Sequence, residues 1–185
     1  TKLDGAKIPP VHIITFGSPC QNLSTIGARE GLAGAKSGLF HHAIRIIQEM
    51  RCATDGKYPV IAVWENVRGA FSSNNRLDFR AVLESFADTE IPMPASRRWA
   101  NAGMVRGGKV DVCWRLLDAQ YWGEPTLSQR RKRIFVVADF RGQRAAEILF
   151  KPHKLHAHID PSRKSWLSSG ERNRISVNQA RGKIP

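Results

Sequence analysis

The stretch that decides the fold reads VHIITFGSPCQ and spans residues 11–21. Its first six residues are mostly apolar, which predicts a buried β-strand. The strand must end near Pro19, because proline fixes φ and has no N–H to donate to a sheet. Cys20 follows at the tip of this turn. The pattern therefore predicts a cysteine held at the rim of a sheet, which is a suitable position for a nucleophile.

Helices and strands alternate after this turn. Apolar residues at helical spacing predict one helix at about residues 38–53 and another at about 78–88, with Asp78 as its cap. Residues 91–109 are rich in Pro, Arg and Gly and predict a loop. Further apolar runs predict buried strands at residues 58–64, 110–117 and 134–138. Nearly continuous apolar strands that alternate with helices predict an α/β fold with a parallel sheet.

The composition favours a nucleic-acid partner. The chain has 185 residues, enough for one domain with a core, and its 29 Lys and Arg against 16 Asp and Glu give a net charge of +13. This charge favours a polyanion, although a basic solvated surface would give the same composition. No run approaches the roughly 20 apolar residues of a membrane span, and the first residues lack a signal pattern. An intracellular protein of the cytoplasm or nucleoid, with no membrane partner, is expected.

The cysteines and histidines do not predict a metal site. The three cysteines are far apart, so neither a disulfide framework nor a CxxC site is indicated, and Cys52 and Cys113 are predicted to be packing residues. Residues 1–150 are predicted to form the domain with the core, which the resemblance given below implies to be a partial catalytic domain. Residues 151–185 are predicted to be a polar basic tail, a linker or, by the same resemblance, the start of a target-recognition region. The tail contains His153, His156 and His158. Their spacing resembles a metal-binding tract, but a solvated tail is favoured.

Three polar clusters are predicted to meet at one edge of the sheet. The first contains Cys20, the second is Glu65-Asn66-Val67 after a predicted strand, and the third is residues 129–133 before another strand. In open parallel sheets, ligands bind beyond the carboxyl ends of the strands. Arginines near a thiol lower its pKa, and a carboxylate can transfer a proton. Each cluster alone is a weak signal, because a cysteine at a strand end is more often structural and an arginine-rich run is usually a solvated face.

Together and in this order, the clusters resemble the signature of the DNA (cytosine-5) methyltransferase family. That signature contains a Pro-Cys-Gln nucleophile loop, then Glu-Asn-Val, then a Gln-x-Arg-x-Arg element before a strand. The corresponding segments here are Pro19-Cys20-Gln21, Glu65-Asn66-Val67 and Gln129-Arg130-Arg131-Lys132-Arg133. The resemblance covers residues 11–140 and implies the Rossmann-like sheet of S-adenosylmethionine-dependent methyltransferases.

The resemblance implies roles for four residues in methyl transfer to cytosine C5. Cys20 is the implied nucleophile, which adds to C6 and makes C5 electron-rich. Glu65 is implied to bind the Watson-Crick edge of the base and to assist protonation at N3. Arg131 and Arg133 would anchor the pyrimidine O2 and supply positive potential near the thiolate. Because C5 is stacked inside double-stranded DNA, the base must be flipped into the pocket.

Supporting roles follow from the same resemblance. Asn66 is expected to hold the Glu65 turn and the Cys20 loop in register, and Gln129 to order its own loop. Gln21 and Ser24 are assigned to loop support. Residues 24–38 resemble the loop that closes over the flipped base, although an ordinary connection would have the same small-residue composition.

The implied methyl donor is S-adenosylmethionine. Pro19 and Leu39 match family positions that touch the donor. The strand and Gly-rich turn that begin the donor site in the family are not found before Val11, and the closing C-terminal elements are not found either. The expected fold is therefore an incomplete methyltransferase sheet. The chain is expected to be a catalytic segment, inactive alone, of a longer enzyme of restriction-modification or phage type.

Other interpretations of the same residues remain open. One branch of the family methylates tRNA with the same cysteine and Glu-Asn-Val. A noncatalytic nucleic-acid-binding module would keep the fold and the charge without binding the donor. A cysteine hydrolase would need a histidine beside Cys20, and only His41 and His42 are available for that role.

Overall fold

A computed structural model describes residues 3–18, 38–106, 109–121 and 130–150. Its strands form a five-stranded sheet. In chain order the main elements are β1 (Ile13–Gly17), α1 (Leu39–Ala53), β2 (Ile61–Val67), α2 (Leu77–Ala87), β3 (Ala102–Val105), β4 (Asp111–Asp118), β5 (Lys132–Asp139) and α3 (Ala145–Phe150). Short 3-10 turns lie at Arg68–Phe71, Ser73–Arg76 and Ala119–Tyr121. The predicted 24–38 loop, apart from Gly38, and the predicted 151–185 tail lie outside the described residues.

The sheet is mixed, with the strand order β1-β2-β5-β4-β3. Only β1 and β2 run parallel, whereas the β2–β5, β5–β4 and β4–β3 pairs are antiparallel. The predicted α/β class is confirmed, but the prediction that the whole sheet is parallel is wrong. The apolar runs identify the strands without fixing the direction of their neighbours, since continuous buried stretches occur in the antiparallel strands β4 and β5 and not in the parallel pair β1 and β2.

The two longer helices cover one face of the sheet. In α1 the buried residues Phe40, Ile44, Ile47 and Met50 recur at three- and four-residue intervals, as an amphipathic helix requires. The second helix buries Phe79, Val82, Leu83 and Phe86 in the same way. Both apolar stripes share one core with inward-facing strand residues, which include Trp64, Val112, Val136 and Ala138. This core fixes β2 and β5, the two strands that carry Glu65 and Arg133.

The other face is covered in part by α3, whose Ala145 packs with Cys113 and Val137. Burial, followed by the nearby Asp111 charge, raises the pKa of the Cys113 thiol to about 12. The packing role predicted for Cys113 is therefore confirmed. The same prediction is wrong for Cys52, which is exposed near the end of α1.

Two local predictions fail for identifiable reasons. Asp78 is not the cap of α2, because the helix begins one residue earlier, at Leu77, and Asp78 lies buried in its first turn, where it accepts a hydrogen bond from Ser73. The segment 91–109 is not all loop, since it contains β3. A side chain at Gly103 of β3 would place its Cβ 2.2 Å from the Trp114 ring, so this position requires glycine. Glycine has a low strand propensity, which is why the strand was not predicted.

β1 lies at one edge of the sheet, and within the described residues it pairs only with β2. The prediction that this strand is buried is wrong, because none of its five residues is buried and Ile13 has 57% of its surface exposed. No helix in the described residues is long and apolar enough to cross a bilayer. The same part of the chain holds no group of three or more His, Cys, Asp or Glu that could bind a metal ion.

Candidate functional site

The carboxyl ends of β1 and β2 lie side by side. The parallel register places Gly17 opposite Glu65, and the antiparallel register of β2 and β5 places Val67 opposite Arg133. Glu65, Asn66 and Val67 were expected to follow a strand, but they are its last three residues. The apolar run stops at these polar residues, but the backbone hydrogen bonds of the strand continue through them. The chain thus brings the start of the Cys20 turn, Glu65 and Arg133 to one end of the sheet.

Glu65 and Arg133 form an ion pair between Oε1 and Nε at 2.8 Å. The pair is half-buried, with 38% of the Glu65 side chain and 24% of the Arg133 side chain exposed. Arg133 also donates through Nη1 to the Lys132 carbonyl oxygen at 2.9 Å, which fixes its guanidinium. The other carboxylate oxygen of Glu65 lies close to Gly17, 3.4 Å from the position of a Cβ there. An oriented carboxylate therefore stands beside the strand end that leads to Cys20.

Asn66 ties the end of β2 to the segment before Cys20. It is buried, donates through Nδ2 to the Ser18 carbonyl oxygen at 2.7 Å, and accepts at Oδ1 from the Val67 N–H at 2.8 Å. The indole N–H of Trp64 donates to the Ser18 hydroxyl at 3.1 Å. Ser18 is therefore held at two atoms, two residues before Cys20. Sequence reasoning missed Ser18 and Trp64, although a tryptophan in a buried strand signals a partner for its N–H.

Methyl transfer by a longer enzyme is the reaction that the sequence resemblance implies, and replacement of Asn66 by Asp in that enzyme is expected to lower its kcat/KM by between about tenfold and a hundredfold. The substitution keeps the shape of the side chain but turns the donor that faces the Ser18 carbonyl into an acceptor, so the Cys20 turn loses an anchor. Steady-state kinetics on DNA would measure the effect. Gln48→Glu is the matched control, because this exposed residue of α1 takes the same charge change at a cavity away from Glu65. Equal activity of both variants would contradict the role given to Asn66.

The two arginines predicted to bind the base differ in their surroundings. Arg133 lies within β5, whereas Arg131 precedes the strand and has an exposed side chain. The backbone of Arg131 is fixed, since its N–H donates to Asp118 Oδ1 at 3.1 Å and its carbonyl accepts from the Ala119 N–H at 3.0 Å. Asp118, the buried last residue of β4, was not identified from the sequence. The signal available in the sequence was an aspartate directly after a predicted strand, ahead of an arginine-rich run.

Leu39 is the one described residue of those predicted to touch the donor. It is the first residue of α1, and 55% of its surface is exposed. Burial, with a smaller contribution from His42, lowers the pKa of the neighbouring His41, which favours an uncharged imidazole at neutral pH. The remaining predicted site residues lie outside the described residues: Pro19, Cys20, Gln21, Ser24 and Gln129.

A cavity of about 500 Å³ lies at the opposite end of the sheet. It is bounded by the later turns of α1 and α2, and its lining includes Arg51, Asp88 and Phe140. Because β5 runs from Arg133 towards Phe140, this cavity is separated from the Glu65 site by the length of the strand. It belongs to a different surface and takes no part in the arrangement around Glu65.

Comparison with known proteins gives matches to methyltransferases whose names differ in the base that they indicate. The chain matches the family model described as C-5 cytosine-specific DNA methylase over residues 1–180. It is 31% identical to a DNA N-6-adenine-methyltransferase of Escherichia phage P1, over 88% of this chain and 24% of that protein. It is 28% identical to the type II methyltransferase M.BsuFI of Bacillus subtilis, over 74% of this chain and 26% of the relative. It is 32% identical to the type II methyltransferase M.MspI of Moraxella sp., over 75% of this chain and 26% of that protein. The chain thus spans about a quarter of the length of these relatives.

Proposed function

The chain belongs to the C-5 cytosine-specific DNA methylase family, and we propose that it is the catalytic segment of an enzyme that methylates C5 of cytosine in double-stranded DNA. One observation carries the proposal. The sheet register brings the strand end that leads to Cys20 beside the Glu65–Arg133 ion pair. With a thiolate from Cys20, this carboxylate and guanidinium would complete the groups that activation of a cytosine ring requires.

The reaction begins at Cys20. Its thiolate adds to C6 of the flipped base, so that an S–C6 bond forms and the electrons of the C5=C6 double bond move towards C5 and the N3 side of the ring. C5 then attacks the methyl carbon of S-adenosylmethionine, and the bond between that carbon and the donor sulfur breaks. Loss of the C5 proton to water and cleavage of the S–C6 bond restore the double bond and the thiolate.

Glu65 and the arginines manage charge during the addition. The Glu65 carboxyl group binds the Watson-Crick edge and delivers a proton to N3 as negative charge develops there, and the carboxylate takes this proton back before the S–C6 bond breaks. Arg133, already bound to Glu65 at 2.8 Å, holds the carboxyl group in position. The exposed guanidinium of Arg131, on a fixed backbone, is available to the pyrimidine O2. These donors act in a site that is preorganised before the base enters.

The described residues fit one edge of a methyl-donor site. The exposed Leu39 at the start of α1 offers apolar contact to the donor. The first turn of α1, however, contains no acidic side chain that could bind a ribose hydroxyl of the donor. Because the chain spans about a quarter of its relatives, we propose that other parts of the protein supply the remaining donor contacts. The 185 residues alone are then inactive. An enzyme that acts on DNA in a restriction-modification setting works inside the cell.

Transfer of labelled methyl from S-adenosylmethionine to duplex DNA tests the proposal. The complete protein that carries this chain is compared with the 185 residues alone, and the DNA is digested to nucleosides to identify the product. Only the complete protein is expected to transfer methyl, and the label should appear in 5-methylcytosine. Label in N6-methyladenine, the product that the name of the phage P1 relative indicates, would overturn the proposed reaction. No transfer to DNA or tRNA would favour the noncatalytic binding module.

A further inference from the structure

The end of the sheet that holds Glu65 is strongly cationic. Its acidic groups do not neutralise the surrounding arginines, since Glu65 is paired with Arg133, and Asp78 and Asp118 are buried. Several arginines at this end have no ion pair within the described residues: Arg68, Arg76, Arg97, Arg98, Arg130 and Arg131. Four arginines elsewhere in the fold, Arg45, Arg80, Arg106 and Arg144, do have carboxylate partners.

Three of these arginines are brought together by one tryptophan. The Trp99 indole N–H donates to the Arg76 carbonyl oxygen at 3.0 Å, so the turn before α2 meets the segment that contains Arg97 and Arg98. The Trp99 ring packs edge-on against Phe79 at 5.3 Å and Trp114 at 5.9 Å, which ties this contact to the core. We call the three residues Arg76, Arg97 and Arg98 the Trp99 ridge.

The strand register places the Trp99 ridge at the catalytic end of the sheet. β3 begins opposite Arg115, and the Leu116 N–H donates to the Asn101 carbonyl oxygen at 2.6 Å. The residues before β3 therefore lie towards the end of β4, where Leu117 pairs with Arg133. Arg76 reaches the same end by another route, since its turn follows β2 within nine residues of Val67.

The ridge backbone is held in an uncommon conformation. Asn74, Asn75 and Arg76 have φ values of +46°, +53° and +74°, and Arg97 has a φ of +52°. Left-handed residues that are not glycine are disfavoured and persist where the surroundings fix them. The Ser73 hydroxyl donates to the buried Asp78 carboxylate on one side of this turn, and Trp99 binds its Arg76 carbonyl on the other. The position of Arg76 is thus set by the fold.

We propose that the Trp99 ridge binds backbone phosphates of the DNA whose base enters the Glu65 site. The proposal rests on the proposed function, because it takes duplex DNA as the ligand. Guanidinium groups match phosphate geometry through paired N–H donors. Arg97 and Arg98 are exposed, Arg76 is partly exposed, and none of the three has an ion pair within the described residues. Contacts to phosphate carry no sequence information, so the ridge contributes affinity and register on the duplex.

The salt dependence of DNA binding tests this proposal. Arg76→Gln, Arg97→Gln and Arg98→Gln, singly and combined, are introduced into the complete protein, and binding to a short duplex is measured over a range of salt concentrations. Each lost phosphate contact should reduce the slope of log K against log salt by about 0.9, and the triple variant by about 2.7. KM for DNA should rise in the triple variant, while kcat at saturating DNA stays near the wild-type value.

Arg141→Gln is the matched control. Arg141 is exposed, has no ion pair within the described residues, and follows β5 at the opposite end of the sheet. Its variant should keep the wild-type slope. A wild-type slope in all three single variants, or an equal loss in Arg141→Gln, would overturn the ridge. Thermal melting identifies any variant that fails to fold. The remaining single variants then decide whether the ridge binds phosphate.

The failure of the ridge and the failure of the proposed function give different results. If the protein binds DNA with a ridge-dependent slope but transfers no methyl, the ridge stands and the catalytic proposal falls. If methyl transfer depends on Cys20 while the ridge variants keep the wild-type slope, the catalytic proposal stands and the ridge falls. An acidic protein that competes with DNA for the ridge at equal affinity would overturn the assignment of DNA phosphate as the ligand.

Discussion

Replacement of Cys20 by Ser is expected to lower methyl transfer by at least about a thousandfold, because a serine hydroxyl does not ionise near neutral pH and adds poorly to C6. The change removes only the sulfur, so the melting temperature should stay within a few degrees of the wild type. Transfer of labelled methyl to duplex DNA, at saturating substrates, measures the loss. The effect should appear in kcat, because binding of DNA does not use the thiolate.

The other cysteines provide the controls for this variant. Cys52 is exposed near the end of α1, so Cys52→Ser makes the same atomic change without touching the site and should keep full activity. Cys113 is buried, and its thiol pKa is raised to about 12, so it cannot supply a thiolate at neutral pH. Full-rate transfer by the Cys20→Ser enzyme would refute the assigned nucleophile.

Replacement of Glu65 by Gln is expected to slow methyl transfer by about a hundredfold. The amide can still donate a hydrogen bond to the base but cannot deliver a proton to N3. The variant also breaks the ion pair with Arg133, but that pair is partly exposed, so its loss should cost less than about 1 kcal/mol of folding free energy. Single-turnover kinetics with preformed enzyme–DNA complex would separate the chemical step from binding.

Glu84→Gln is a matched control for Glu65→Gln. Glu84 pairs with Arg80 at 2.8 Å, the same distance as in the Glu65–Arg133 pair, and lies on α2 away from the site. Its variant loses an ion pair of similar exposure and should transfer methyl at the wild-type rate. A Glu65→Gln enzyme as fast as Glu84→Gln would show that Glu65 transfers no proton.

Periodicity in the sequence was sufficient to predict the main elements of the fold. The stripe from Phe40 to Met50 predicted α1 within a residue of its start, and the apolar runs located β1, β2, β4 and β5. Strand direction was not predictable, because the runs with continuous buried stretches, β4 and β5, form an antiparallel pair, although such runs are typical of parallel sheets. β3 was missed, since Gly103 is required by the close approach of Trp114 and breaks the strand pattern.

The candidate site was predictable as a set of residue types but not as a set of contacts. The order of Cys20, Glu65 and Arg133 along the chain pointed to one edge of the sheet, and the register places Gly17, Glu65 and Arg133 there. The buried partners could not be inferred in the same way, because Ser18 and Asp118 act through hydrogen bonds that depend on which strands are neighbours. Those pairings are set by tertiary packing.

The open edge at β1 has a consequence for handling the isolated polypeptide. An edge strand presents unpaired N–H and C=O groups that can template the addition of another chain, and charged or proline residues normally prevent this. β1 reads IITFG and carries no charge, its Ile13 is exposed, and so is Val11 two residues before it. The high positive charge of the chain opposes self-association at low ionic strength, whereas added salt screens that repulsion. Salt that weakens DNA binding would therefore also promote aggregation of the isolated chain through this strand.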